Sequence, residues 1–226
     1  MNNDHSFHAL GLNPRSIPGL AVLVILACGC ASSSSDSVAP KPGHGIAEYR
    51  AVVTEAQRSV KAVVDSLEEL QKTSPPPLTR PDFTRFDKAF HNLEVTSVRT
   101  RARADAIIAR GETYFEEWKE NLSGMTNSAV AQAESERYLR MREHFDRVRQ
   151  RSGDVRTEFR PFMTKLREAR ARFDRPTVAT DETGKAIETF IGGGKRVLET
   201  LEAVLTALNE AESALRATPA ATAETK

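Results

Sequence analysis

Little in this chain could supply a disulfide scaffold, a membrane span or a one-signed charge field. It has two cysteines in 226 residues, Cys28 and Cys30, too few for a disulfide framework. A bridge between the two would have poor geometry. Twelve glycines exclude a collagen-like repeat. With 32 basic and 31 acidic side chains the net charge is +1, which leaves no global excess for a polyanion. The longest apolar run falls well short of the ~20 residues of a spanning helix.

What is abundant is helix-forming. Ala, Glu, Lys, Leu and Arg make up 44% of the residues, close to the roughly 50% of long helices and coiled coils. Apolar residues recur at alternating spacings of three and four in four segments. The first runs through Ile46, Tyr49, Val53, Ala56, Val60, Val63, Leu67 and Leu70. The second begins at Phe83, Phe86, Phe90 and Leu93 and ends at Gly111, Tyr114 and Trp118. The third joins Tyr138, Met141, Phe145, Val148, Ser152, Val155, Phe159, Phe162, Leu166, Ala169 and Phe173. The fourth joins Ile187, Phe190, Gly194, Val197, Leu201, Val204, Leu208, Ala211 and Leu215. Period 3.5 predicts helices that supercoil. Flanking Val64, Ile108, Ile191, Leu198 and Leu205 widen the stripe beyond a two-stranded seam.

Breakers fall between the segments. Ser74-Pro75-Pro76-Pro77 ends the first, and Pro81 suits the first turn of the second. Ser123 to Ser128 offers a glycine and candidate N-caps, and Arg175-Pro176 ends the third. Thr180-Asp181-Glu182 caps the fourth. Short connections place neighbours antiparallel. The expected fold is all-α, an elongated antiparallel bundle or coiled coil of about four helices over 46–217. Pro161 is expected to bend the third helix, because it removes the bond to the Thr157 carbonyl.

The N-terminus reads as an address. Residues 1–16 are polar, and Ile17 to Ala27 is an apolar run of the 7–15 residues typical of a signal-peptide core. Ile25-Leu26-Ala27-Cys28-Gly29-Cys30-Ala31-Ser32 resembles the cleavage box of bacterial lipoproteins, with Cys28 and Cys30 as alternative lipidation sites. Residues 1–30 are then the signal segment and 31–45 a flexible Ser/Pro tether, with 218–226 a disordered tail. By analogy with lipoprotein sorting, Gly29 or Ala31 after the modified cysteine, rather than Asp, favours the outer membrane, with the body facing the periplasm.

Chemistry is sparse. Gly192-Gly193-Gly194-Lys195 lacks the earlier glycine and the Ser or Thr of a phosphate loop. Close helix approach or a flexible point explains it better. Asp87, His91 and Glu94 share a helix face without a repeated Glu-x-x-His pair. No nucleophile, metal or acid-pair motif stands out, so neither an enzyme nor a cofactor is expected.

Charge is unevenly spread. Residues 126–175 hold 13 basic and 8 acidic side chains, and 181–216 hold 4 and 7. This predicts charge complementarity between the third and fourth helices. The sharper alternative is that Arg140, Arg147 and Arg151 face an anionic partner, either lipid headgroups or an acidic envelope protein. Interleaved acids and the lack of a recognition motif argue against nucleic acid. The stripes of segments one and four can also seal against another copy, which keeps a homo-oligomer open.

Tyr114-Phe115-Glu116-Glu117-Trp118, together with Arg142-Glu143-His144-Phe145 through Arg160-Pro161-Phe162, resembles an uncharacterised bacterial family, the domain of unknown function numbered 2959. The resemblance implies a lipoprotein with a long helical coiled-coil body. It carries no established activity and so bears on fold and address. The reading as a whole is a lipid-anchored envelope spacer, adaptor or assembly factor that works through contacts with an envelope protein.

Overall fold

The computed structural model describes residues 43–72, 80–173 and 181–217, and these form four α-helices joined in part by a short turn. They are α1 (Gly43–Lys72), α2 (Arg80–Ser123), α3 (Ser128–Phe173) and α4 (Asp181–Ala217). Cys28, Cys30, the 31–42 part of the tether, the Ser74–Pro77 break, Thr180 and the tail lie outside the described residues. Helix α1 starts at Gly43, three residues ahead of the expected boundary, so Ile46 closes its first turn rather than opening it.

Each neighbour pair runs antiparallel, as cross-helix contacts show. Along α1 and α4, Arg50 meets Glu212, Gln57 meets Glu202 and Glu68 meets Lys195. Along α1 and α2, Glu48 meets Arg110 and Glu55 meets Arg103 and Arg99. In both seams one number falls as the other rises. Helices α1–α2, α2–α3, α3–α4 and α4–α1 adjoin, and no close backbone approach crosses a diagonal among the described residues. This is an all-α, up-down-up-down four-helix bundle.

The stripes read from the sequence are the core. Every residue named for the four segments is buried or half-buried. Val63, Leu67, Phe86, Leu166, Ile187 and Val197 are sealed from solvent. Among the described residues three polar residues are buried, and each is satisfied within its own helix. Ser66 donates to the Val63 carbonyl at 2.7 Å and Thr100 to the Thr96 carbonyl at 2.9 Å. Ser152 donates to the Val148 carbonyl at 2.7 Å and also lies 2.6 Å from the Tyr49 hydroxyl. These bonds avoid the ~1–3 kcal/mol cost of an unmade one.

The α2–α3 turn follows its local chemistry. Asn127 Oδ1 accepts from Ala129 N at 3.1 Å and Val130 N at 3.3 Å, which caps α3. Gly124 N donates to the Asn121 carbonyl at 3.2 Å and closes α2. Helix α3 continues unbroken through Gly153 and Pro161. The Pro161 ring is exposed while Phe162 and Met163 beside it are buried. A proline on the solvent side loses one hydrogen bond without disturbing the packed face.

Two glycine sites show how the helices fit. A Cβ at Gly194 would lie 2.4 Å from Val64 Cγ2 and 3.2 Å from the Phe162 ring. One at Gly111 would lie 2.3 Å from Phe145 Cε2. Phenylalanines of α3 therefore seat in glycine hollows on α4 and α2. The Gly192-Gly193-Gly194 run has its packing reason here, at Gly194 and in part at Gly193, whose Cβ would meet Phe162 at 3.4 Å. Gly192 faces open space apart from the Arg196 guanidinium at 3.9 Å.

Candidate functional site

The side chains with the strongest electrostatic organisation are the arginines of α3. Arg142 and Arg149 each reach Glu112 of α2 at 2.7 Å, Arg156 pairs with Asp105, Arg167 reaches Glu94 at 3.0 Å and Arg170 reaches Asp87 at 2.6 Å. Burial works against the Arg142 charge, but hydrogen bonds to Asp146 and Glu112 more than offset it and hold the guanidinium above its usual range. Arg142 also lies over Phe115 and Phe145, with its guanidinium carbon 5.3 and 5.4 Å from the ring centroids.

The ladder explains a feature of the backbone. Helices α2 and α3 approach least closely of the four neighbour pairs. Rings fill the gap: Phe86 meets Phe173 edge-on at 5.7 Å, Phe115 meets Phe145 at 5.1 Å and Trp118 meets Tyr138 edge-on at 5.6 Å. Arginine is long enough to cross this seam with its stem along the rings and its guanidinium at the surface.

The three arginines singled out from the sequence are also paired. Arg147 donates to Glu210 of α4 and Glu143 of its own helix, each at 2.8 Å, and the Glu210 bond raises its pKa first. Arg151 reaches Asp154 at 3.3 Å, and exposed Arg140 lies 3.9 Å from Glu136. Spaced by seven and four, they share one side of α3, together with acids.

The expected complementarity between α3 and α4 is thus a minor part of the pattern. Arg147–Glu210 follows it, whereas Arg196 of α4 to Glu158 of α3, at 3.3 Å, runs the other way. The surplus cations of α3 answer α2, and the acids Glu202 and Glu212 of α4 answer α1. The sequence carried a signal for this, since Asp87 and Glu94, and Asp105 and Glu112, are each spaced by one heptad.

The histidine face is likewise absorbed by the ladder. Asp87 and Glu94 bind Arg170 and Arg167 while His91 is exposed. Among the described residues no group of three His, Cys, Asp or Glu could hold a metal ion, and no helix is long and apolar enough to cross a membrane. Comparisons with protein families, curated proteins and solved structures find no match to this chain.

Proposed function

We propose that this protein is a lipoprotein of the bacterial cell envelope, anchored through acylated Cys28 or Cys30, with its helical body facing the periplasm from the outer membrane. It acts as a spacer, adaptor or assembly factor through protein contacts, in the manner implied by the uncharacterised family it resembles. The observation that carries the reading is the apolar run Ile17–Ala27 directly ahead of Cys28-Gly29-Cys30, followed by a Ser-rich segment. The helices suit a spacer: at 1.5 Å per residue the 46 residues of α3 reach about 69 Å. Several acyl chains hold a protein at a bilayer far better than one.

The test is metabolic labelling with an alkynyl fatty acid in cells making the wild-type chain, Cys28→Ala, Cys30→Ala and the double variant. Label and membrane fractionation should disappear in the double variant, and the silent single variant identifies the acylated cysteine. Label and fractionation that persist in the double variant overturn the anchor. For the adaptor role, in-cell crosslinking should enrich envelope proteins. Enrichment of cytoplasmic enzymes instead would overturn it.

A further inference from the structure

The positions farthest from the core are polar on three of the four helices. They include Arg58 and Asp65 on α1, Glu143 and Gln150 on α3, and Glu199 and Thr206 on α4. On α2 the same positions carry Val95, Ala102 and Ala109, flanked by Val98 and Ala106. All five are exposed, and Val98 at 72% is the most exposed large apolar side chain among the described residues. Spacings of three and four make this a second stripe, on the solvent side of the helix.

Charge divides this face by sign. Every charged side chain of α2 from Glu94 to Glu112 is in an ion pair within the chain, with α1, with α3 or, for Arg101, with Asp105 of its own helix. Outside that span, among the described residues, Arg85 and Lys88 at one end and Glu116 and Glu120 at the other have no ion-pair partner. The acids stay free because the helices do not end level. Glu48 faces Arg110, with five residues of α1 and thirteen of α2 left on that side. Arg147 faces Glu210, with seven residues of α4 and nineteen of α3 left. The α2–α3 hairpin therefore projects past its neighbours by roughly 12–18 Å at 1.5 Å per residue.

We propose that the outer face of α2 pairs with the same face of a second copy, antiparallel, about a two-fold axis at Ala102. One register serves the whole face. Lys88 and Glu116 each lie fourteen residues from Ala102, and Val95 and Ala109 each lie seven. With Ala102 against the partner's Ala102, Val95 meets the partner's Ala109 and Lys88 meets the partner's Glu116. Arg85 and Glu120 share a heptad position with Arg99, which reaches α1, and they meet across the seam on that flank. Lys119 shares its position with Glu112, which reaches α3, and falls on the other flank against the partner's Thr84. A parallel pair would set lysine on lysine and glutamate on glutamate. The reversed pattern that this face needs is the one a second copy carries, and a two-fold pair closes on itself.

Alanine at the axis lets the helices approach to about 8 Å. A seam from 85 to 120 is about 53 Å long, and a strip about 10 Å wide buries about 1,000 Å² over both copies. That is the lower bound of a specific interface, so the dimer is reversible.

The test uses the full-length chain carrying Cys28→Ala and Cys30→Ala, in which neither acyl group nor native thiol joins copies. Sedimentation should show a monomer–dimer equilibrium in the micromolar range. Ala102→Glu, which sets two carboxylates against each other at an exposed site, should abolish the dimer and leave helical circular dichroism unchanged. Lys88→Glu and Glu116→Lys should each weaken it about tenfold at low salt, and the two combined in one chain should restore it. Ala102→Cys should form a disulfide with its own copy. Val95→Cys and Ala109→Cys should each fail alone, because like positions lie about 21 Å apart along the seam, and should crosslink when mixed.

A chain that stays monomeric at about 100 μM overturns the proposal. So does a dimer that survives Ala102→Glu, a combined Lys88→Glu/Glu116→Lys chain that is not restored, or Val95→Cys that links to itself as readily as Ala102→Cys. Capture of a different protein by Ala102→Cys in cells, with the purified chain monomeric, would give the face to that protein and overturn the pairing. If Ala102→Glu does not fold, the charge swap and the disulfide pattern decide the matter.

Discussion

The four-helix section and the projecting end of the α2–α3 hairpin solve the same burial problem with different residues. In the four-helix section Val63, Leu67, Leu166, Ala169, Ile187 and Val197 are all 0% exposed. Near the hairpin end, Phe115, Trp118 and Met141 form a separate cluster whose best-covered member retains 4%. Tyr114, Tyr138 and Phe145 pack around it, and Arg137 and Arg142 lie over its rings. Four helices enclose a core from all sides, so branched aliphatics suffice. Toward the hairpin end α4 still covers the cluster with Ala214 and Leu215 but fewer helices enclose it, so wide rings supply area and guanidiniums close them off from water.

The comparison is broken most directly by truncating one core at a time. Leu67→Ala should cost about 3–5 kcal/mol in denaturant unfolding, because the void sits where nothing can collapse into it. Trp118→Ala should cost less than half as much and speed amide exchange over 114–141 while leaving 60–70 protected. An equal loss of global stability from Trp118→Ala would show that the two clusters are one cooperative unit.

Next in size is the glycine hollow. Gly194→Ala should lose about 1–3 kcal/mol, since Val64 must move to admit the methyl group. Gly192→Ala, which faces open space, should gain about 0.5–1 kcal/mol from helix propensity. Opposite signs two residues apart, read as midpoint shifts, would assign the hollow to packing rather than to a hinge.

A smaller effect belongs to the Tyr49–Ser152 pair that ties α1 to α3. Tyr49→Phe should cost about 0.5–1.5 kcal/mol near neutral pH. Burial raises the Tyr49 pKa above its ordinary value, although the Ser152 bond opposes it. The contribution is therefore complete below about pH 10, where the unfolded phenol is still protonated, and is lost as pH climbs past that point. Thermal melts from pH 8 to 11 should fall less steeply for Tyr49→Phe than for the wild type. Smallest is the seam ladder: Arg167→Ala should cost about 0.2–1 kcal/mol, shrinking as salt is added.

How far the sequence foretold this depends on whether a feature is local. Helix register is local, and every position of the stripe from Ile46 to Leu70 and of its three counterparts falls on a buried or half-buried face, although the stripes pass over buried Val52, Phe115, Met163 and Ala207. The Asn127 cap and the closure at Gly124 belong to the same kind. Partnership between helices is not local. Helix α2 carries eight basic and eight acidic residues, so its total looked neutral. The acids Asp87, Glu94, Asp105 and Glu112 are nevertheless gathered on its α3 side. A net charge per segment averages over faces and loses that information. The seating of Phe145 on Gly111, and the meeting of Arg137 with Trp118, depend on the offset between two helices, which no single stripe records.

The antiparallel pairing of the first and last helices also has a mechanical consequence. Gly43 and Ala217 leave the bundle side by side, with Arg50–Glu212 nearest them, then Gln57–Glu202, then Glu68–Lys195. A load applied between the two ends would meet these contacts one after another and peel α1 from α4 like a zipper. It would not slide the helices past each other against all contacts at once. Pulled from its own ends this bundle should yield at lower force than under a load taken between the two ends of α3, which would act along one unbroken helix.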